Sequence, residues 1–193
     1  MCVNIIKTMK KLIIISLSAF FLFSCGKRIN PKPYEYFRID LPAPEYLRAE
    51  QDEYSFEMSK YAQLSPYNGE TEGINIDYNS LNDRIHLSYF PIDVDTFAVV
   101  SEECRTLAYR HSIKANAIIE DYYGNDTTKV YGVLYKITGN AASPVQFFIT
   151  DSTKHFLRGA LYFNNLPNYD SIAPVADYVN QDIIHLIETL KWK

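Results

Sequence analysis

Three polar side chains within one short segment could bind an anionic ligand or a peptide. Asp151, His155 and Arg158 all fall in the stretch TDSTKHFLRGALYF, which runs from Thr150 to Phe163. Arg158 is surrounded by apolar residues, where an unpaired charge is costly, so it needs a partner. One interpretation is an interaction site formed by the three groups. The other, which we favour, is a salt bridge from Arg158 to Asp151 or Asp170 that holds a hairpin together.

Metal sites are not predicted. Zinc sites place histidines and cysteines at close spacing, whereas the four histidines of this chain are scattered. They are His86, His111, His155 and His185. The acidic segment at Asp93 begins like a calcium loop, but Ala98 replaces the glycine of the turn and Cys104 occupies the position of the final glutamate. Capping of a helix by Asp93 explains this segment instead.

Sequence motifs of enzymes are also missing. There is no GxSxG nucleophile elbow, no CxxC pair and no glycine-rich phosphate loop, and the whole chain contains only 7 glycines. A nucleophile assembled in space from distant residues would leave no motif. From the sequence we expect a protein that is not an enzyme and that uses no cofactor.

The other reactive candidate is Cys25, which follows a typical export signal. A pair of lysines precedes the apolar run from Leu12 to Phe23, and this run of 12 residues is shorter than the roughly 20 that a spanning helix needs. The pattern predicts a signal peptide at residues 1–24. Residues 1–8 delay the lysine pair, which favours Met9 as the true start of translation.

The end of this leader resembles the lipobox of bacterial lipoproteins. In a lipobox a small residue precedes a cysteine, the peptidase cleaves before that cysteine, and its sulfur carries a diacylglycerol. Leu22 and Ser24 match the pattern, whereas Phe23 is bulkier than the residue usually found there. We therefore predict lipidation of Cys25, with palmitate among its acyl chains. An ordinary secretory signal followed by an incidental cysteine is the alternative.

Lipidation would tether the mature chain to a membrane without spanning it. Two or more membrane-binding signals give a stable anchor, at about 0.8 kcal/mol per buried methylene. Residues 25–33 are basic and contain prolines, so they are predicted to form an extended linker whose charges can rest on anionic headgroups. The remaining residues, 34–193, are predicted to form a single domain.

The mature chain is acidic. Loss of the leader removes three lysines, which leaves 16 basic and 23 acidic residues and a net charge of −7. Nucleic acid is therefore not an expected partner. Cys104 would have no second cysteine to pair with, and it lies on an apolar helical stripe, which predicts a buried thiol.

Two helices are predicted from apolar residues at steps of three and four. The first covers Asp93 to His111. Its apolar stripe comprises Val94, Phe97, Val100, Cys104, Leu107 and His111. The second starts near Pro174, with Asp170 or Ser171 as its cap, and continues toward Lys191, whose charge suits the C-terminal end of a helix. Its buried face comprises Val175, Val179, Ile183, Leu186 and Leu190.

Strands are predicted wherever apolar residues alternate with polar ones. These segments are residues 54–58, 74–76, 85–89, 117–123, 129–138, 144–150 and 155–163. Their short connections favour antiparallel neighbours, and the last two carry apolar residues on both faces, so we expect central strands that are covered on both sides. The order of elements predicts an α+β domain with a mostly antiparallel sheet of about six or seven strands and two main helices packed on it.

Several separate segments, taken in order, resemble one protein family. They are YFRIDLP at 36–42, INIDY at 74–78, RIHLSY at 84–89, RTLAYRHSIKANAI at 105–118, TDSTKHFLRGALYF at 150–163 and HLIETLKW at 185–192. With the leader cysteine, they resemble the family of gliding motility lipoproteins GldD over nearly all of the mature chain. The resemblance implies a lipoprotein needed for gliding on surfaces and for the associated type IX secretion machinery. Cys25 is the one residue to which it assigns a role, as the acylated residue.

Two functions are compatible with these features. We expect a lipoprotein of the cell envelope that faces the periplasm and binds or stabilises other gliding and secretion proteins. The alternative is an envelope lipoprotein that binds a small ligand or a glycan, which is suggested by the 16 tyrosines and by Asp151, His155 and Arg158. The order of elements also resembles the PsbP/Mog1-type α+β scaffold, which typically serves assembly and binding.

Overall fold

A computed structural model describes residues 41–67, 73–164 and 169–193, except for the side chains of residues 169 and 170. The predicted signal peptide, linker and lipidated Cys25 lie outside these residues and stay predictions. Within the described ranges, no helix has both the length and the apolar character needed to cross a membrane.

Ten strands and two α-helices make up the described chain. The strands are β1 (Tyr46–Glu50), β2 (Tyr54–Ser59), β3 (Gln63–Pro66), β4 (Gly73–Tyr78), β5 (Asp83–Pro91), β6 (Ala115–Asn125), β7 (Val130–Gly139), β8 (Val145–Thr150), β9 (His155–Phe163) and β10 (Lys191–Trp192). The helices are α1 (Val94–Tyr109) and α2 (Tyr169–Thr189), and a short 3-10 helix, Arg110–Ile113, follows α1.

The strands form two antiparallel sheets. The large sheet has seven strands in the order β3-β4-β5-β9-β8-β7-β6, and the small sheet has three in the order β1-β2-β10. The α+β class and the mostly antiparallel sheet are therefore confirmed. The expectation of one sheet was incomplete, because β2 pairs with β1 and β10, two short strands whose sequences carry no alternating pattern. The similarity to the PsbP/Mog1 scaffold stays a prediction.

Helix α1 begins at the predicted cap. The Asp93 carboxylate accepts a hydrogen bond from the Thr96 N–H at 2.8 Å, and the Thr96 hydroxyl accepts one from the Asp93 N–H at 2.9 Å, which satisfies two N–H groups at the helix start. Cys104 is buried as expected. Val94 was wrongly placed on the buried stripe: it is 77% exposed, because the helix packs on the sheet through its later turns.

Helix α2 has the predicted buried face. Its buried residues include Val175, Val179, Ile183, Leu186 and Leu190. The predicted start was wrong, because the helix begins at Tyr169 and contains Pro174. Pro174 is the sixth residue of the helix, so it removes one backbone hydrogen bond there, and the helix nevertheless includes the five residues before it. Lys191 lies in β10, two residues past the last helical residue, Thr189, rather than in the helix itself.

The large sheet is covered differently on its two faces. Helix α1 packs on one face, called here the α1 face, while α2 and the small sheet pack on the other. Tyr54 of the small sheet stacks on Tyr89 with ring centroids 5.8 Å apart, and Trp192 stacks on His155 at 5.1 Å. All six residues of β8 are buried, which confirms that this strand is central and covered on both sides.

Candidate functional site: a polar cleft on the large sheet

Helix α1 covers only part of its face of the large sheet. Its buried residues Cys104 and Ala108 pack on aromatic side chains of the sheet, those of Tyr135, Phe148 and Phe156. Beyond these aromatic residues the same face carries polar side chains. Alternate residues of a strand point to the same side, so the register of the strands shows which residues share this face. In the register of strands β3, β4, β5 and β9, this polar row comprises Ser65, Asn75, Asp77, Arg84, His86, Ser88, Arg158 and Tyr162.

A cleft of about 260 Å³ opens in the polar row. The imidazole of His86 meets the rings of Tyr67 and Tyr162 edge to face, with centroids 5.6 and 5.3 Å away. Ser88 and Arg158 face each other across β5 and β9 at the same cleft. Its volume lies just below the range of about 300–1,000 Å³ that is typical of small-molecule sites, so it suits one sugar or amino-acid residue.

Two small residues of β9, Gly159 and Ala160, complete the cleft lining. Gly159 is required by the core on the opposite face, since a Cβ added there would lie 2.1 Å from the ring of Phe147.

A chain of hydrogen bonds orders one side of the cleft. Arg84 forms an ion pair with one carboxylate oxygen of Asp77, and the Ser65 hydroxyl donates to the other at 2.5 Å. The Asn75 amide nitrogen donates to a backbone carbonyl at 3.1 Å, so its oxygen is the acceptor that lies 2.6 Å from Nδ1 of His86. This network assigns the imidazole proton to Nδ1 and leaves Nε2 as a hydrogen-bond acceptor.

The charges of this network are balanced. Burial lowers the pKa of His86, the charge of Arg84 lowers it further, and Asp77 opposes the shift, so the imidazole is neutral near pH 7. Burial tends to raise the pKa of Asp77, but hydrogen bonds from Ser65 and Arg84 outweigh it and hold the pKa below its usual range. Asp77 therefore stays ionised and neutralises Arg84.

Arg158 differs from Arg84 because no carboxylate in the described part of the chain pairs with it. It is half-buried and lines the cleft, and it forms no hydrogen bond or ion pair with another residue in the described part of the chain. Its charge acts on the nearby thiol of Cys104, although burial is stronger and raises the pKa of that thiol to about 11. Among the described residues, the cleft therefore holds one positive charge that no carboxylate pairs with.

The predicted salt bridge between Arg158 and Asp151 is not formed. The Asp151 carboxylate instead accepts hydrogen bonds from the N–H groups of Thr153, Lys154 and His155 at 2.8 to 2.9 Å. Burial opposes its ionisation, but these bonds outweigh burial and lower the pKa of Asp151 to about 2. Asp151 thus holds the turn between β8 and β9, and the side chain of Asp170, the other proposed partner, is outside the described part.

His155 is separated from Arg158 by the sheet itself. It is buried on the face opposite α1, where Nδ1 lies 2.8 Å from the Tyr89 hydroxyl and the ring stacks on Trp192. Positions 155 and 158 are an odd number of residues apart in one strand, so they point to opposite faces. Asp151, His155 and Arg158 therefore do not form one site, and Arg158 is the one of the three that lines the cleft.

Sequence reasoning missed the other cleft residues. Arg84, His86 and Ser88 alternate with the apolar residues of β5, so a polar face on this strand was visible in the sequence. Their meeting with Arg158 and Tyr162 depends on the register of β5 against β9, which no local pattern specifies.

A second polar cluster is buried between α2 and the sheets. Asp182 accepts hydrogen bonds from the hydroxyls of Tyr46 at 3.1 Å and Tyr78 at 2.9 Å. Asp83 is 2% exposed, and neither of its carboxylate oxygens accepts a hydrogen bond from another residue in the described part of the chain. Burial, with a contribution from Asp182, raises the pKa of Asp83 to about 7.

Over the ranges that the structure covers, no group of three or more His, Cys, Asp or Glu side chains could hold a metal ion.

Comparison with known proteins identifies a family for this chain. Residues 26–192 match a protein family described as gliding motility lipoprotein GldD. The match begins one residue after Cys25 and extends over nearly all of the described chain. No curated protein shows a significant match.

Proposed function

The chain belongs to the family of gliding motility lipoproteins GldD, and from this premise we propose that it binds or stabilises other components of the gliding and type IX secretion machinery. As a member of this family it is a gliding motility lipoprotein, and it is located at a membrane of the cell envelope. The finer parts of the proposal are that it faces the periplasm, that the lipid is attached to Cys25, and that it acts by binding rather than by catalysis.

The family match carries this proposal. It covers residues 26–192, and the predicted signal peptide and cysteine directly precede it. A match over almost the entire mature length supports a shared role more strongly than a match to one segment would. The leader and the match are independent features, and both indicate a lipoprotein.

Tethering would raise the concentration of the domain near its partners. A lipid on Cys25 confines the domain to the membrane surface, and the linker of residues 25–33 sets its reach. Nine residues span at most about 30 Å when fully extended. Partners within that distance of the membrane would meet the domain at a high effective concentration, so modest affinity would suffice for binding.

One surface of the domain suits contact with a protein. Strand β6 has 11 residues and lies at the edge of the large sheet. Tyr122 on the α1 face of this edge strand is 74% exposed, Ile119 on its opposite face is 47% exposed, and Ile113 just before the strand is 92% exposed. Long edge strands with exposed apolar side chains favour association with other chains. This sheet edge supports a protein partner and is distinct from the cleft.

Deletion and crosslinking test the proposal. Cells that lack the chain should stop gliding and should retain type IX cargo, and a plasmid copy should restore both. A photocrosslinking residue placed at Tyr122 in the complementing copy should yield adducts with envelope proteins, whereas the same residue at the exposed Asp52 serves as the control. Normal gliding and secretion in the deletion strain would contradict the proposal.

A further inference from the structure

We propose that the cleft formed by Tyr67, His86, Ser88, Arg158 and Tyr162 binds an acidic sugar, a single monosaccharide unit that carries one carboxylate. This inference rests on the geometry of the cleft and is independent of the proposed role in gliding. The steps that lead to it concern the charge of the cleft, its hydrogen-bonding groups and its position in the sheet.

The charge of the cleft selects an anion. The described residues that line the cleft include Arg158 and no carboxylate, while the neighbouring Arg84 is already paired with Asp77. A half-buried guanidinium without a partner gains most from a ligand that brings the missing negative charge. Its planar fork of N–H groups fits a carboxylate with two parallel hydrogen bonds. A phosphate dianion would call for a second free cation, which the lining residues do not supply.

The remaining polar groups suit hydroxyls. The side chains of Ser88, Tyr67 and Tyr162 line the cleft and form no hydrogen bond to another described residue. Each hydroxyl can both donate and accept, and Nε2 of neutral His86 accepts. Sugar hydroxyls also donate and accept, so several such pairs can form at once around one ring. The aromatic rings of the two tyrosines add apolar surface for the C–H groups of the sugar.

The position of the cleft disfavours a peptide. It lies on β5 and β9, which are both internal strands of the seven-stranded sheet and are paired on both sides. A peptide that binds as an added strand needs the unpaired backbone groups of a sheet edge, and neither strand offers them. Binding at this place must therefore use side chains, and the volume of about 260 Å³ admits one residue-sized group.

Saturation-transfer NMR on the full chain in detergent micelles tests the proposal. The probes are glucuronate, glucose, glucose 6-phosphate and the dipeptide alanyl-alanine, each titrated separately. We expect saturation transfer to glucuronate and at least tenfold weaker binding of glucose, because glucose lacks the carboxylate. Arg158→Met should weaken glucuronate binding tenfold or more, which corresponds to the loss of a charged hydrogen-bonded contact.

Three variants separate a binding defect from a folding defect. Arg105→Met removes an arginine that lies outside the cleft and pairs with Glu102, and it should leave binding unchanged. Arg158→Lys keeps the charge but loses the fork, so binding should fall between the wild type and Arg158→Met. Ser88→Ala should weaken binding a few-fold. If Arg158→Met fails to fold, Arg158→Lys and Ser88→Ala decide the question.

Four outcomes would overturn the inference. In the first, glucuronate shows no saturation transfer; in the second, glucose binds as tightly as glucuronate; in the third, the Arg158 and Ser88 variants bind glucuronate like the wild type. In the fourth outcome, glucose 6-phosphate or the dipeptide binds more tightly than glucuronate, which would assign the cleft to a phosphorylated ligand or to a peptide terminus instead.

Discussion

Replacement of Asp83 by asparagine should make the protein more resistant to unfolding at alkaline pH. Asp83 is 2% exposed, its carboxylate oxygens accept no hydrogen bond from another described residue, and burial raises its pKa to about 7. Ionisation of this group in the folded state is therefore unfavourable, because the charge loses the water that solvates it in the unfolded chain. Asparagine cannot ionise, so it avoids this cost.

The sign and size of the effect follow from the two pKa values. The folded protein holds the proton of Asp83 up to about pH 7, whereas the unfolded chain releases it near 3.8. The stability that this group contributes is thus fully present below pH 4 and falls as the pH rises from 4 to 7. A difference of about three pH units corresponds to at most about 4 kcal/mol. Relaxation around the charge reduces this, so we expect about 2 to 4 kcal/mol at pH 8.

Urea unfolding at pH 5 and pH 8 measures this effect. The free energy of unfolding of the wild type should decrease between these pH values by about 1 to 3 kcal/mol more than that of Asp83→Asn. The change with pH is the informative quantity, since the amide also alters hydrogen bonding by a constant amount. Asp52→Asn, at an exposed loop position, is the matched control. Parallel pH curves for the wild type and Asp83→Asn would refute the reasoning.

Two further predictions concern the core. Gly159→Ala should lower the free energy of unfolding by about 1 to 3 kcal/mol in urea titrations, because its Cβ would lie 2.1 Å from the ring of Phe147. Gly124→Ala, whose Cβ would meet only Tyr131 at 3.8 Å, should be tolerated, and equal losses for both variants would exclude this explanation. Cys104 should resist maleimide at pH 7 until urea unfolds the chain, because the thiol is 5% exposed and burial raises its pKa to about 11. Rapid labelling of the native protein would show that Cys104 is accessible.

Helices and long strands were predictable because their apolar patterns are local. The buried face of α2 recurs at steps of three and four residues, and Val179 and Ile183 on it are both fully buried. Strand β8 carries apolar residues on both faces and is covered on both sides. Strands β1 and β10 were not predicted, because they are short and form strands only by pairing with β2. Their pairing is a tertiary contact that no local pattern records.

The cleft was predictable only in part, for the same reason. The sequence indicated that the charge of Arg158 needs a partner. In the described part of the chain Arg158 has none, and it lines the cleft. Asp151 was predicted as its partner because the two residues are close in sequence. The Asp151 carboxylate instead accepts hydrogen bonds from the backbone N–H groups of its own turn. The contact between Arg158 and Ser88 joins residues 70 positions apart, and it depends on the register of β5 against β9.

Lipidation of Cys25 is the feature on which the proposed function depends most directly, and it can be measured in cells. A palmitate analogue should label the wild-type chain and Cys104→Ala, but it should not label Cys25→Ala. Cells that carry Cys25→Ala as their only copy should lose gliding, because the domain is no longer held near its partners. If Cys25→Ala is unlabelled yet its cells glide like the wild type, tethering is not how the protein works; if Cys25→Ala still takes up the label, the lipid is attached elsewhere.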